Sequence, residues 1–267
     1  DSVSASVAVG MCNYDWPLVI AQELANAFTA SAGHPSIAAC RLSFAFGLRG
    51  PSVLIDTACS ASLVAVDAAA STVSRVEWPV SLAAGVKVML VPNLWIMQCK
   101  ARMLSLCGAC STFDTAADGF VHGEGCGVVV LRAENGDADP TPLAAVLGSA
   151  TLQSGRDRAS LTAPNSLSQR RVIESAWRLA AGSHPEEPDF LECHGTGTKL
   201  GDPIEVSAIR DLAVGEGNSV VLLGAVKTNL GHLEGAAGVT GFLKVVLTLQ
   251  ARCVVPNVHL RVANPNL

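Results

Sequence analysis

Short continuous apolar runs recur along the chain, and most are followed by a stretch in which apolar residues return every three or four positions. The runs predict strands at Val7–Val9, Ser52–Asp56, Val80–Val86, Gly127–Arg132, Leu143–Ser149, Phe190–Cys193, Val220–Val226 and Val254–Leu260. Several are apolar throughout rather than alternating, as expected of strands buried on both faces. The helical spacing predicts helices near Leu18–Ala30, Ser60–Ser74, Asn93–Arg102, Leu167–Ala181, Pro203–Val214 and Ala236–Ala251. Strands alternating with helices predict α/β layers. Glu134–Pro142, rich in Asp, Pro and Gly, is the best linker candidate and divides the chain unequally. No short-period repeat or low-complexity tract is found.

Composition narrows the class. The chain has 267 residues, 49% hydrophobic and only 15% charged, which favours a well-buried multilayer fold. Its formal charge is −5 with no Lys/Arg run, so a nucleic-acid surface is not expected. The nine cysteines, an odd count at irregular spacing, argue against a disulfide framework and for a reducing compartment. No apolar run approaches the roughly eighteen residues of a membrane span. The opening DSVSASVAVG looks like neither a signal nor a transit peptide, and a cytoplasmic location is expected.

Candidate chemistry starts at Cys59. Asp56-Thr57-Ala58-Cys59-Ser60 follows the apolar Val53-Leu54-Ile55, and Leu63, Val66, Ala70 and Val73 continue at helical spacing. The pattern reads as strand, tight turn, helix, with Cys59 at the helix start. The first N–H groups of a helix lack intrahelical partners and carry partial positive charge. They stabilise a thiolate and can donate to an oxyanion formed when a thioester is attacked. A buried structural cysteine is the commoner use of the residue; the small neighbours Ala58, Ser60, Ala61 and Ser62 leave the sulfur room to react.

Two histidines stand where apolar runs end. His194 opens His194-Gly195-Thr196-Gly197-Thr198 after Phe190-Leu191, and His232 closes Lys227-Thr228-Asn229-Leu230-Gly231-His232 after Val220–Val226. Loops at the ends of strands commonly carry chemistry in α/β proteins. An ammonium near an imidazole lowers its pKa, so Lys227 would keep His232 neutral and able to donate to a developing enolate. Each histidine taken singly could be a core or capping residue. HGTGT lacks the Lys and spacing of a phosphate loop. Cys107 and Cys110 form half a zinc motif with no second pair to complete it. His34, His122, His184 and His259 have no comparable context.

Together these motifs resemble the β-ketoacyl synthases of the thiolase superfamily, in particular the ketosynthase domains of type I polyketide synthases. The resemblance rests on DTACSASL around Cys59, HGTGTKLGDPIE from His194 and KTNLGHLEGAAG from Lys227. It extends to Lys100–Ser105, Phe113-Asp114, Ala117–Phe120, Gly123–Gly125 and Leu161–Asn165, all in family order. It implies a five-layer αβαβα fold of two similar halves, here 1–142 with the cysteine and 143–267 with both histidines, acting as a homodimer. It implies that Cys59 accepts an acyl chain, that His194 and His232 stabilise the enolate and oxyanion, and that Lys227 supports the histidine site. Thr196 and Thr198 match residues that contact the pantetheine arm, and Glu205 matches a buried structural acid. No cofactor is expected in the domain itself, because substrates arrive on the phosphopantetheine of an acyl carrier protein. That carrier and neighbouring synthase domains are the expected partners.

The chain departs from the family in places. His122 stands where Arg is frequent, Gly235 and Cys193 where Ala is common, and Leu152–Asp157 differs from the usual Asn-Gln-Asp-Gly type of loop. The family's first strands and its Gly-Phe-Gly-Gly-type loop are absent, so the resemblance implies a domain truncated at both ends and inactive as an isolated piece. Three other functions are weighed. An initiation synthase using Cys-His-Asn would carry Asn at His232. A non-condensing paralogue typically lacks the nucleophile. An inert scaffold has no need of all three groups.

Overall fold

The computed structural model describes residues 4–20, 25–75, 77–133, 141–160, 162–181, 188–213 and 220–267. Most of the expected linker Glu134–Pro142, the middle of the expected Leu18–Ala30 helix, Leu161 and Val214 lie outside them. In chain order the elements are β1 (Ala5–Gly10), α1 (Trp16–Val19), α2 (Thr29–Gly33), α3 (Ile37–Phe46), β2 (Ser52–Ile55), α4 (Ala61–Val73), β3 (Val80–Lys87), α5 (Asn93–Lys100), β4 (Gly125–Arg132), α6 (Ser166–Ala181), β5 (Phe190–Glu192), α7 (Gly201–Ala213), β6 (Leu222–Gly224), α8 (Lys227–Leu230) and α9 (Ala237–Ala251). They form two compact units, one of residues 1–100, 122–142 and 233–243, the other of 101–121, 143–232 and 244–267. Among the described residues no helix is long and apolar enough to cross a membrane.

The first unit is built on a sheet of order β2-β1-β3-β4. β1 pairs parallel with both β2 and β3, while β4 returns antiparallel to β3. Every residue of β1 is buried, which explains its continuous apolar run. On the edge strand β4 burial alternates, with Val128 and Val130 exposed. Val7, Val9, Ala39 and Ala84 make one core cluster, and Val66, Ala69 and Ala83 another. β1 runs hard against the start of α4: a Cβ on Gly10 would lie 2.3 Å from the Ser62 nitrogen, so only glycine fits.

A charged cluster is buried in this unit. Lys87 Nζ lies 3.0 Å from Glu234 Oε2 and 2.6 Å from His122 Nδ1. Gln98 and Asn13 also donate to the Glu234 carboxylate, at 2.6 and 3.2 Å, and the His122 ring meets Trp95 edge-on. Burial raises the Glu234 pKa, but the Gln98 bond, the Lys87 charge and the Asn13 bond outweigh it and leave it lowered. Burial, then Lys87, lowers that of His122.

The second unit pairs β5 and β6 in parallel, with α6 and α7 packed against each other. Phe113, Cys193 and Ile209 form its core with Leu191, Val206 and Leu223 around them. The Asp114 carboxylate accepts from the N–H groups of Val262, Ala116 and Arg261, which hold it down at about 2.

Three expectations differ from the structure. The Leu18–Ala30 helix is not continuous: α1 ends at Val19, and Asn26 Oδ1 accepts from Phe28 N in a side-chain turn before α2. Leu143–Ser149 forms no strand among the described residues; a Cβ on Gly148 would meet the α6 backbone at Ala176. Val254–Leu260 forms none either. Asn257 from that run accepts from Ala225 N and donates to Leu223 O, occupying the β6 edge that a paired backbone would use. Pro256 also removes a donor there.

Candidate active site

Each unit brings part of the sequence-derived site to the end of a sheet. In the first, β2 leads into a tight turn. Asp56 Oδ1 accepts from Ala58 N at 3.0 Å, and Ala58 takes a left-handed φ of 55°. That conformation costs a non-glycine residue on the order of 1 kcal/mol or more, and such strain is typical of functional turns. Cys59 lies in a short 3₁₀ turn, Ala58–Ser60, that leads directly into α4, so it stands at the helix start. Its side chain is half-buried.

A second thiol, Cys12, lies within electrostatic range of Cys59. Burial, followed by the charges of Glu234, Cys59 and Asp56, pushes it up to about 12. Cys12 therefore stays protonated at physiological pH and does not compete as a nucleophile. Tyr14 O–H donates to Asp56 Oδ2 at 2.9 Å.

The second unit carries the two histidines, Lys227, Thr196 and Thr198. The imidazoles of His194 and His232 approach edge-on, ring centroids 5.5 Å apart. His232 is buried; its backbone N–H donates to Val121 O at 2.7 Å, and its ring packs edge-on against Phe120. His194 N–H donates to Glu205 Oε1 at 2.5 Å, and Gly195 N–H to the other oxygen at 2.9 Å. Glu205 thus fixes the backbone on which His194 turns away from β5. The surrounding protein atoms, then the charge of the buried Lys227, push His194 down to about 3. Solvent still reaches His194, so what carries into the chemistry is the direction: neutral at physiological pH.

Lys227 opens α8 directly after β6. Thr196 Oγ1 and Thr198 Oγ1 lie 3.2 Å apart, and Thr198 Oγ1 also accepts from Gly201 N. The loop between them is pinned by buried Asp202, which accepts from Gly197 N at 3.1 Å and Phe113 N at 2.9 Å. Among the described residues no group of three His, Cys, Asp or Glu side chains gathers as a metal site.

Comparison with known proteins identifies the family. The beta-ketoacyl synthase N-terminal domain matches residues 1–136, and the beta-ketoacyl synthase C-terminal domain matches residues 143–261. The chain belongs to the β-ketoacyl synthase family.

A phenolphthiocerol/phthiocerol polyketide synthase of Mycobacterium tuberculosis is 46% identical over 275 residues, covering 99% of this chain and 15% of the relative. Another phenolphthiocerol/phthiocerol polyketide synthase, from Mycobacterium bovis, is 43% identical over 272 residues, covering 99% of this chain and 14% of the relative. Among solved structures, the ketosynthase from module 6 of the bacillaene synthase of Bacillus subtilis 168 matches with a TM-score of 0.90 at 33% identity, over 100% of this chain and 46% of that one. An oxazolomycin ketosynthase domain from Streptomyces albus JA3453 matches with a TM-score of 0.89 at 30% identity, over 100% of this chain and 49% of that one. The chain therefore spans about half the length of these ketosynthase structures and has their thiolase-like α/β fold.

Several buried charged residues of the two units receive no role from the sequence motifs. Asp202 is one; Glu192 and Lys244, and Lys87 with Glu234, are others. The available signal is a charged residue within an apolar run, as in VSLAAGVKVML around Lys87 and GFLKVVLTL around Lys244. A charge in such a place must be paired, so it marks a long-range partner.

Proposed function

We propose that this chain carries the condensing chemistry of a polyketide synthase, joining an acyl group held on Cys59 to a malonyl-type extender borne by an acyl carrier protein. The observation that supports this best is the pair of imidazoles of His194 and His232, with His194 kept neutral beside a buried lysine. A neutral imidazole donates an N–H to an oxygen acquiring charge.

The Cys59 thiolate attacks the incoming thioester carbonyl. A C–S bond forms, and the carrier thiolate leaves as the oxyanion collapses. The extender's bond to its carboxylate then breaks. Carbon dioxide departs and the electron pair remains as an enolate, whose oxygen is the role assigned to His194 and His232. The enolate carbon attacks the acyl-cysteine carbonyl, a C–C bond forms, and the Cys59 sulfur leaves. Lys227 keeps the imidazole neutral, and Thr196 and Thr198 contact the pantetheine arm. On this reading the domain needs no cofactor of its own, acts as a homodimer and works beside neighbouring synthase domains.

The test is an intact mass of the full-length protein after incubation with an acyl thioester, beside a Cys59→Ala variant. An adduct of the acyl mass in the parent alone supports the reading. A folded parent that takes no acyl chain across several lengths is instead a non-condensing paralogue or a scaffold.

A further inference from the structure

The second unit holds a buried ion pair to which the proposed chemistry gives no part. Glu192 ends β5, two positions before His194. Its Oε2 lies 2.7 Å from Lys244 Nζ, with the two side chains only 7% and 9% exposed. Its Oε1 accepts the N–H of Val226 at 2.5 Å, the residue just before Lys227. The Lys244 ammonium also sits 5.7 Å from the centroid of the Phe190 ring. One carboxylate therefore joins three pieces of chain: the strand that delivers His194, the turn that delivers Lys227, and α9.

The surroundings are fitted to this carboxylate. β5 and β6 pair over only three residues each, Glu192 opposite Gly224. A Cβ on Gly224 would come within 2.6 Å of the Phe190 ring and 2.9 Å of Glu192 Oε2, so the carboxylate can lie across the strands only above a glycine. Three-residue strands fix their C-terminal ends weakly by themselves. Asn257 braces β6 from its other side through Ala225 N and Leu223 O, but it does not reach β5.

We infer that Glu192, paired with Lys244, is a positioning residue that sets the spacing between the backbones carrying His194 and Lys227, and so acts on decarboxylation and condensation rather than on acylation of Cys59. The inference rests on the condensing reading above. Lys244 supplies the opposite charge that a buried carboxylate needs and aims it across the strands, because an ion buried without a partner is costly. The working contact is the acceptor that Glu192 offers to Val226 N–H.

Two charge-neutral double variants of the full-length protein separate that contact from the charge. Glu192→Gln with Lys244→Met keeps an acceptor for Val226 N–H. Glu192→Leu with Lys244→Met keeps similar volume without the acceptor. Acylation is read by intact mass with an acyl thioester, and the second half-reaction by carbon dioxide release from a malonyl thioester. Both variants are expected to acylate within about threefold of the parent. The Gln/Met variant is expected to decarboxylate within about threefold, and the Leu/Met variant at least tenfold more slowly. Leu/Met releasing carbon dioxide within threefold of the parent overturns the inference. So does a folded Gln/Met variant that has lost tenfold, which settles the matter even where Leu/Met does not fold. A parent that fails to acylate at all refutes the condensing reading itself, a distinct result.

Discussion

Replacing Lys87 by Met should be among the most damaging single changes in the first unit. Lys87 is fully enclosed, and its ammonium is the cation beside Glu234, whose side chain is 7% exposed. Removing it leaves the carboxylate its Gln98 and Asn13 amide donors but takes away the lysine's charge. Breaking a buried pair from one side costs about 3–5 kcal/mol, because the remaining charge has been desolvated without compensation. At roughly 2–4 °C per kcal/mol, the melting temperature should fall by about 6–20 °C. The double change Lys87→Met with Glu234→Gln removes both charges and keeps the amide partners, so it should melt within a few degrees of the parent. Thermal melts of the three proteins at about pH 7.5, where carboxylates and amines are both charged, test this. Lys87→Met melting within about 2 °C of the parent, less than the shift of a single kcal/mol, would refute the reasoning, since the cluster would then be solvated enough to lose its cation freely.

The same cluster predicts a pH dependence with a definite sign. The folded-state pKa of His122 is lowered from 6.5, first by burial and then by Lys87. A lowered base contributes stability that is complete above 6.5 and lost as pH falls, because only the unfolded chain takes up the proton readily. Glu234, lowered from 4.5, acts in the same direction further into acid. Between about pH 7.5 and 5.5, a window that brackets the ordinary histidine pKa, the parent should therefore lose more stability than a His122→Asn variant; equal slopes would contradict the assignment.

Other expectations follow from single contacts. Gly10→Ala should leave little folded protein in a solubility and circular dichroism assay, because its Cβ would strike the backbone at Ser62, where no rotamer change relieves it. Ser6→Ala should cost about 1–3 kcal/mol in chemical denaturation by orphaning Ser81, whose hydroxyl it meets at 2.6 Å, whereas Ser6→Ala with Ser81→Ala should cost less than the single change. The His194 ring, pushed below 6.5, should be neutral at physiological pH in histidine-selective NMR assigned through His194→Asn; a midpoint at or above 6.5 would remove the neutral-imidazole argument.

Much of the fold is legible in the sequence because its signals are local. The apolar runs behind β1 to β6 stand out within the chain itself, and the long helices α4, α6, α7 and α9 carry their own periodicity. What fails depends on distant partners. Val254–Leu260 has the composition of a strand, yet it meets β6 through the Asn257 side chain, a choice fixed by Ala225 and Leu223 more than thirty residues earlier. α3 is not predicted although it packs on β1, since Ile37–Phe46 mixes small, aromatic and polar residues without a clear stripe.

The site divides in the same way, and the division has a physical cause. Cys59, His194 and His232 are readable because each needs a strand end and a small-residue turn beside it, features that lie within a few positions in the chain. The residues that hold those turns need only the right distance in space. Glu205 reaches His194 from eleven residues on, and Glu192 reaches Val226 from thirty-four before it. The mark of Glu192 in the sequence is a charge where the pattern calls for an apolar residue, as it is for Lys87 and Lys244. Burying a charge is costly enough that such a position must be matched elsewhere. Lys87, Glu192 and Lys244 all satisfy that rule in the structure, each with an opposite charge within 3.0 Å. An isolated charge inside an apolar run is therefore a sequence-level sign of the scaffold that aims the chemistry, although the identity of its partner becomes visible only in the fold.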